Sequence, residues 1–390
     1  MTKGHKGDKG DKGDQNNKGN EADTGKPASS RAQHPRPADA QSDSRSSTRQ
    51  PRNLVASVAA RLLKVAHERE EEYQLVLMRY GLERLLYRLG RSPYAGQFVV
   101  KGALLFSVWA AQTEQAEHTE ARVASNETIS SPTASSVLSA QRPHRATHDL
   151  DLLGFGTAEI ARLEQVFRDL CQLQLSGDED DGLALQPETV RAAPIREEQE
   201  YGGIRVHLLA LLGKARIPLQ VDVGFGDVVT PAPSEVAFPI LLPDLPAPHV
   251  RVYPRETVVA EQFEAIVHLG LPNTRMKDFY DLWTLANQFA FDGDQLCAAV
   301  RATFTRRSTE LPSKDEEPMA LTPHFGDERT KQLQWAAFLR KGQLAADPKP
   351  ELSDVLAMLR KFLLPPSVAI AAGQSFNSTW LAGGPWSPAQ

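Results

Sequence analysis

Apolar residues recur every three to four positions between Asn53 and Gly90: Leu54, Val55, Val58, Leu62 and Val65, then Leu75, Leu82, Leu85, Leu86 and Leu89. That spacing predicts two helices, each burying one stripe, and Pro93 stops the second. A short apolar run over 98–100 reads as a strand, followed by a Lys101-Gly102 turn and a helix over 103–110. From 112 to about 144 the periodicity gives way to Ser, Thr and Ala. Structureless loops of that length are uncommon inside a compact domain, so the stretch reads as a disordered surface insertion.

A strand over 148–155 and a helix over about 158–172 come next. The acidic run Asp178 to Asp181 leads to two or three more strands. Two of them, 206–212 and 217–225, flank Gly213-Lys214 as a hairpin. A proline-rich crossing extends from Pro231 to Pro254. Helical spacing then takes over at 256–269, 277–289, 294–306, 327–341 and 353–364, with an irregular tail over 365–390. This order predicts an α+β protein: a mixed β-sheet core with helices over 53–254, then a helical C-terminal domain over 255–364.

Composition narrows the class. The chain has 390 residues, 41% hydrophobic and 24% charged, which is ordinary for a globular protein. Its net charge of −5 gives no overall basic field of the kind that advertises nucleic acid. Cys171 and Cys297 sit in apolar helical patterns and read as buried thiols of a reducing compartment. No apolar run approaches the roughly 18 residues of a membrane span, and no hydrophobic segment follows the N-terminal lysines, so the expected location is cytoplasmic. Gly4, Gly7, Gly10 and Gly13 imitate collagen for only four triplets. The charged segment over 1–50 has almost no large apolar residues and reads as a disordered tail.

The chemistry is concentrated in three places. In the run from Arg145 to Leu153, Asp149 and Asp151 alternate with Leu150 and Leu152. On a strand, alternate side chains share a face. Two carboxylates a few ångströms apart repel by about 4 kcal/mol at an effective dielectric near 20, and a hard dication such as Mg²⁺ relieves that repulsion. A merely solvated strand face is the plain alternative. Asp222 lies between Val221 and Val223, where strand propensity disfavours a lone aspartate; an edge residue facing water is again the alternative. Gly102, at a strand-to-helix turn, would let a phosphate approach unpaired backbone N–H groups, or it is a simple connection. Further on, Arg275, Lys277, Asp278 and Asp281 gather at the start of a helix. Asp278 and Asp281 share a face there, and capping with a surface ion pair is the bland reading.

Taken together, a glycine turn, an aspartate pair and a later third carboxylate resemble the DNA polymerase β-like nucleotidyltransferase superfamily. The segment from Tyr253 to Ala265, followed by Arg275-Met276-Lys277-Asp278-Phe279-Tyr280-Asp281-Leu282-Trp283, is similar to the AbiEii nucleotidyltransferase toxins of type IV toxin–antitoxin and phage-resistance systems. The resemblance covers roughly 70–290. It implies a Mg²⁺-dependent enzyme that transfers NMP from an NTP to an RNA, such as tRNA, or to a protein, with an antitoxin as partner. Asp149, Asp151 and Asp222 are the implied metal and catalytic carboxylates, joined by Asp278. Lys101, Gly102, Arg145, Thr147, Arg275 and Lys277 are the implied nucleotide-binding residues. Two positions depart from the pattern: Ala103 follows Gly102 where the family has a second glycine, and Gln262 stands where it commonly has a lysine. Those departures motivate the alternative of a catalytically degenerate relative that only binds a nucleotide or a partner.

Overall fold

The computed structural model describes residues 54–114, 147–195, 202–314, 316–342, 344 and 348–389. The tail expected over 1–50, most of the insertion expected over 112–144, and Arg145 lie outside the described residues.

Helices α1 (Leu54–Arg69) and α2 (Tyr73–Arg91) bury the stripes that predicted them, with Val58 and Leu62 fully enclosed on the first and Leu82, Leu85 and Leu86 on the second. Strand β1 (Phe98–Lys101) follows, then a turn and helix α3 over 105–114. Strand β2 (Leu150–Gly154) is shorter at both ends than the expected 148–155 and places Asp149 in the bend before it. Helix α4 (Ile160–Gln172) leads to three long strands: β3 (Ala184–Pro194), β4 (Ile204–Leu212) and β5 (Ala215–Phe225).

Leu212 pairs with Ala215 across the two-residue Gly213-Lys214 turn. Gly213 adopts φ +60°, a left-handed conformation such turns require and glycine supplies cheaply. The crossing from Pro231 to Pro254 is not purely irregular. It contains β6 (Ser234–Ala237) and β7 (His249–Val252), which pair with each other antiparallel. Their alternating apolar residues are few, so proline density masked them.

The seven strands form one mixed sheet in the order β3-β4-β5-β2-β1-β7-β6. Strand β2 runs parallel to β5 and antiparallel to β1. Chain-consecutive β1 and β2 are therefore neighbours, and β5 crosses back to the far side of β2.

Helices α5 (Arg255–Leu269), α6 (Met276–Gln288), α7 (Gly293–Arg307), α8 (Pro323–Asp327), α9 (Arg329–Lys341) and α10 (Leu352–Ala371) complete the α+β architecture. One apolar core is continuous from α1 to Trp380. The tail is more ordered than its sequence predicts. Helix α10 continues through Pro365 and Pro366, although each proline removes one helical N–H. The Phe362 carbonyl, four residues before Pro366, instead accepts from the Trp386 indole at 3.0 Å. That tryptophan lies on β10 (Trp386–Pro388), which joins β9 (Ser378–Trp380) and β8 (Phe291–Asp292) in a small antiparallel sheet.

Candidate active site

Strand register assembles the site. Lys101 on β1 is opposite Asp151 on β2, Asp151 is opposite Asp222 on β5, and Asp222 is opposite Arg205 on β4. A single row across four adjacent strands therefore reads cation, carboxylate, carboxylate, cation. Asp149 joins it from the bend, so that one oxygen from each of Asp149, Asp151 and Asp222 lies within 4.8 Å of the others. The Thr147 hydroxyl donates to Asp149 Oδ1 at 3.0 Å and steadies it.

Gly102 is fixed by the same geometry. Its φ is +76°, and a Cβ there would fall 2.1 Å from Asp151 Oδ2. Any larger residue both strains the backbone and displaces a carboxylate of the row.

A cavity of about 480 Å³ opens over the row. Lys101, Gly102, Asp151, Asp222, Arg275, Lys277 and Asp278 all line it, although they come from both the sheet and the helices. Thr147 is buried, and neither it nor Asp149 is among the residues lining the cavity.

The electrostatics are uneven. Burial pushes Asp151 up to about 6, and Asp149 adds to the shift, while Lys277 and Lys101 offset part of it. Burial opposes the charge on Lys101, yet Glu261, Tyr253 and Asp227 outweigh it and raise its pKa. The Lys101 ammonium donates to Asp227 at 2.8 Å and to Glu261 at 3.1 Å. Arg307 donates to Asp227 at 3.1 Å and to Glu264 at 2.7 Å. These ion pairs tie β1, the loop after β5, α5 and α7 into one wall of the cavity.

At the start of α6, the preceding residue Arg275 donates through Nε to Asp278 Oδ2 at 2.5 Å. Lys277 is exposed at the mouth. Gln262 donates to Asp281 at 3.3 Å, and its other amide atom is buried with no hydrogen-bond partner among the described residues. Tyr280 is buried and stacks on Trp283 with ring centres 5.8 Å apart.

Sequence reasoning gave no role to Arg205, Asp227, Glu261, Glu264 or Arg307. One signal was available for Arg205: the Gly213-Lys214 turn pairs Leu212 with Ala215, and counting back along both strands puts Arg205 beside Asp222.

The sequence model described as "Nucleotidyl transferase AbiEii toxin, Type IV TA system" matches residues 136–358. That span is more than half of the chain, so the protein is a nucleotidyltransferase. It belongs to the AbiEii toxin family. The match begins after the Gly102 turn and continues well past residue 290, to helix α10.

Among solved structures, JHP933 from Helicobacter pylori is 13% identical, with a TM-score of 0.39, covering 77% of this chain and 98% of its own. A second H. pylori structure, described as a candidate nucleotidyltransferase, is 12% identical, with a TM-score of 0.39, covering 78% and 100%. No curated protein matches the chain. Among the described residues, no helix is long and apolar enough to cross a membrane.

Proposed function

We propose that this protein transfers NMP from an NTP to a hydroxyl of an RNA or protein acceptor, with Mg²⁺ held by Asp149, Asp151 and Asp222. It acts as the toxin of a type IV toxin–antitoxin or phage-resistance pair in the cytoplasm. The observation that carries the reading is the side-by-side placement of Asp151 and Asp222 on parallel strands, with Asp149 converging from the bend.

The donor set suits a hard dication. It offers carboxylate oxygens alone, matching what Mg²⁺ takes alongside water and substrate phosphates, and burial leaves Asp151 with a charge it bears poorly. A bound dication would neutralise phosphate charge and activate the attacking hydroxyl. The protein's own groups bind and orient. Lys277 is close enough to Asp151 to lower its pKa and meets the triphosphate from the mouth of the cavity. Arg275 is braced by Asp278 to do the same, and Thr147 holds Asp149 in place. The turn at Gly102 lets a phosphate approach the start of α3. Asp222 orients the acceptor hydroxyl. In the reaction a bond forms between that oxygen and Pα, the bond from Pα to the bridging oxygen breaks, and pyrophosphate leaves.

The degenerate alternative rests on Gln262 and Ala103, but the carboxylates converge here and Lys277 faces the same cavity, which favours turnover. Incubation with each labelled NTP, total tRNA and Mg²⁺ tests the reading. Label is expected in RNA or protein with release of pyrophosphate, and none with EDTA. Nucleotide binding without pyrophosphate release would instead support the degenerate reading, and a nucleoside diphosphate product would indicate phosphoryl transfer. Expression of the protein alone is expected to arrest growth, and co-expression of a cognate antitoxin to relieve the arrest.

A further inference from the structure

Among the described residues, Asp222 differs from the other two carboxylates in carrying an arginine. Arg205, opposite it on β4, grips it with both prongs: Nε donates to Oδ1 at 2.8 Å and Nη2 donates to Oδ2 at 2.7 Å. Gln220, two residues back on the same strand face, lies beside the pair, and with its amide oxygen turned to the arginine it accepts from this guanidinium at 3.1 and 3.3 Å. An ionised carboxylate has about four lone-pair sites. The two-pronged grip occupies one on each oxygen and leaves one on each free. With Arg205 in place, an Asp222 oxygen still lies within 4.8 Å of one from Asp149 and one from Asp151. The grip therefore fixes the rotation of the carboxylate without exhausting it.

We propose that Arg205 is a positioning residue, holding the free lone pairs of Asp222 toward Asp149 and Asp151 and so setting the affinity of the site for a divalent cation. Two effects oppose each other. The guanidinium charge repels an incoming cation, while its geometry prepares a ligand. The Arg205 side chain is 38% exposed and that of Asp222 only 14%. Water screens much of the arginine's charge, whereas the planar fork keeps its geometric effect. Without the fork, repulsion from Asp151 would turn the Asp222 carboxylate away. Partners of this kind typically change metal affinity by about 10–100-fold.

This inference rests on the metal-binding reading above, and one experiment separates the two. Free Mn²⁺ is measured by electron paramagnetic resonance during titration of the full-length, nucleotide-free protein, comparing wild type with Arg205→Gln, Arg205→Lys, Asp222→Asn and the Arg205→Gln/Asp222→Asn double variant. Circular dichroism melting checks that each is folded. Arg205→Gln is expected to weaken binding by about 10–100-fold, and Arg205→Lys, which keeps the charge but loses the fork, is also expected to weaken it. The double variant should bind no more weakly than Asp222→Asn alone. Unchanged or tighter binding in Arg205→Gln, or full rescue by lysine, overturns the positioning role while leaving the metal reading intact. Wild-type affinity in Asp222→Asn overturns both. Gln220→Ala, which removes the support behind the guanidinium, is expected to give a smaller loss in the same direction.

Discussion

Two clusters of buried charge in this protein follow opposite rules. Beneath α2, Arg84 is fully buried and Asp181 is 1% exposed, yet almost every charge there meets its opposite. Arg88 grips Asp181 at 2.6 and 3.2 Å, Arg84 reaches it at 3.3 Å, and Tyr80 donates to the Asp181 carbonyl. Glu83 accepts from the Leu241 N–H at 2.8 Å. On the four-strand row of the sheet, by contrast, Asp149, Asp151 and Asp222 crowd one another, and among the described residues only Asp222 has an arginine on it. Buried ions stay where they are compensated. The pairing of Arg84 and Arg88 with Asp181 marks the first cluster as structural, Glu83 being its exception, while three adjoining carboxylates beside one arginine mark the second as a candidate ligand site.

Substitutions should therefore act on different observables in the two regions. The largest effect expected is on chemistry: Asp151→Asn should lower metal-dependent NMP transfer by on the order of a thousandfold, measured by initial rates with labelled NTP. In the α2 cluster, Asp181→Asn leaves two guanidiniums without their carboxylate. It should cost about 3–5 kcal/mol in urea unfolding, with transfer reduced only as far as folded protein is lost.

Glu83 gives a pH signature. Burial outweighs Arg84 and pushes its pKa to about 7, above the ordinary 4.5. The folded state thus binds this proton more tightly than the unfolded state does. Its contribution is complete below about 4.5 and is lost as pH rises through about 7. Glu83→Gln should flatten the stability profile across that window by on the order of 3 kcal/mol, read from urea melts at several pH values. The smallest of these effects is a gain. In EDTA at pH 8, Asp151→Asn removes a carboxylate whose pKa is raised to about 6 and should stabilise the metal-free protein by at most about 3 kcal/mol, less at pH 4. A variant that is both dead and more stable would separate the two clusters cleanly.

Much of this was legible in the sequence. Alternation drew attention to Asp149 and Asp151, although the structure seats Asp149 in the bend before β2 and not on the strand, and a lone aspartate among valines exposed Asp222, because period and propensity are local properties. What was not legible depends on distance along the chain. The cross-sheet partners Lys101 and Asp227 are separated by 126 positions, and nothing local in either segment announces the pairing. Arg205 is the instructive intermediate case, since a two-residue turn fixes its register, so its place beside Asp222 was open to counting. Helix α10 went the other way. Its two prolines argue locally for an end, and packing together with the Trp386 donor overrides them.

The convergence of the three carboxylates on a cation is tested most directly by anomalous diffraction at the manganese edge from crystals equilibrated with Mn²⁺. A single strong peak bounded by the oxygens of Asp149, Asp151 and Asp222 is the expected result. Manganese bound elsewhere, or no peak between these residues at saturating concentration, would contradict it.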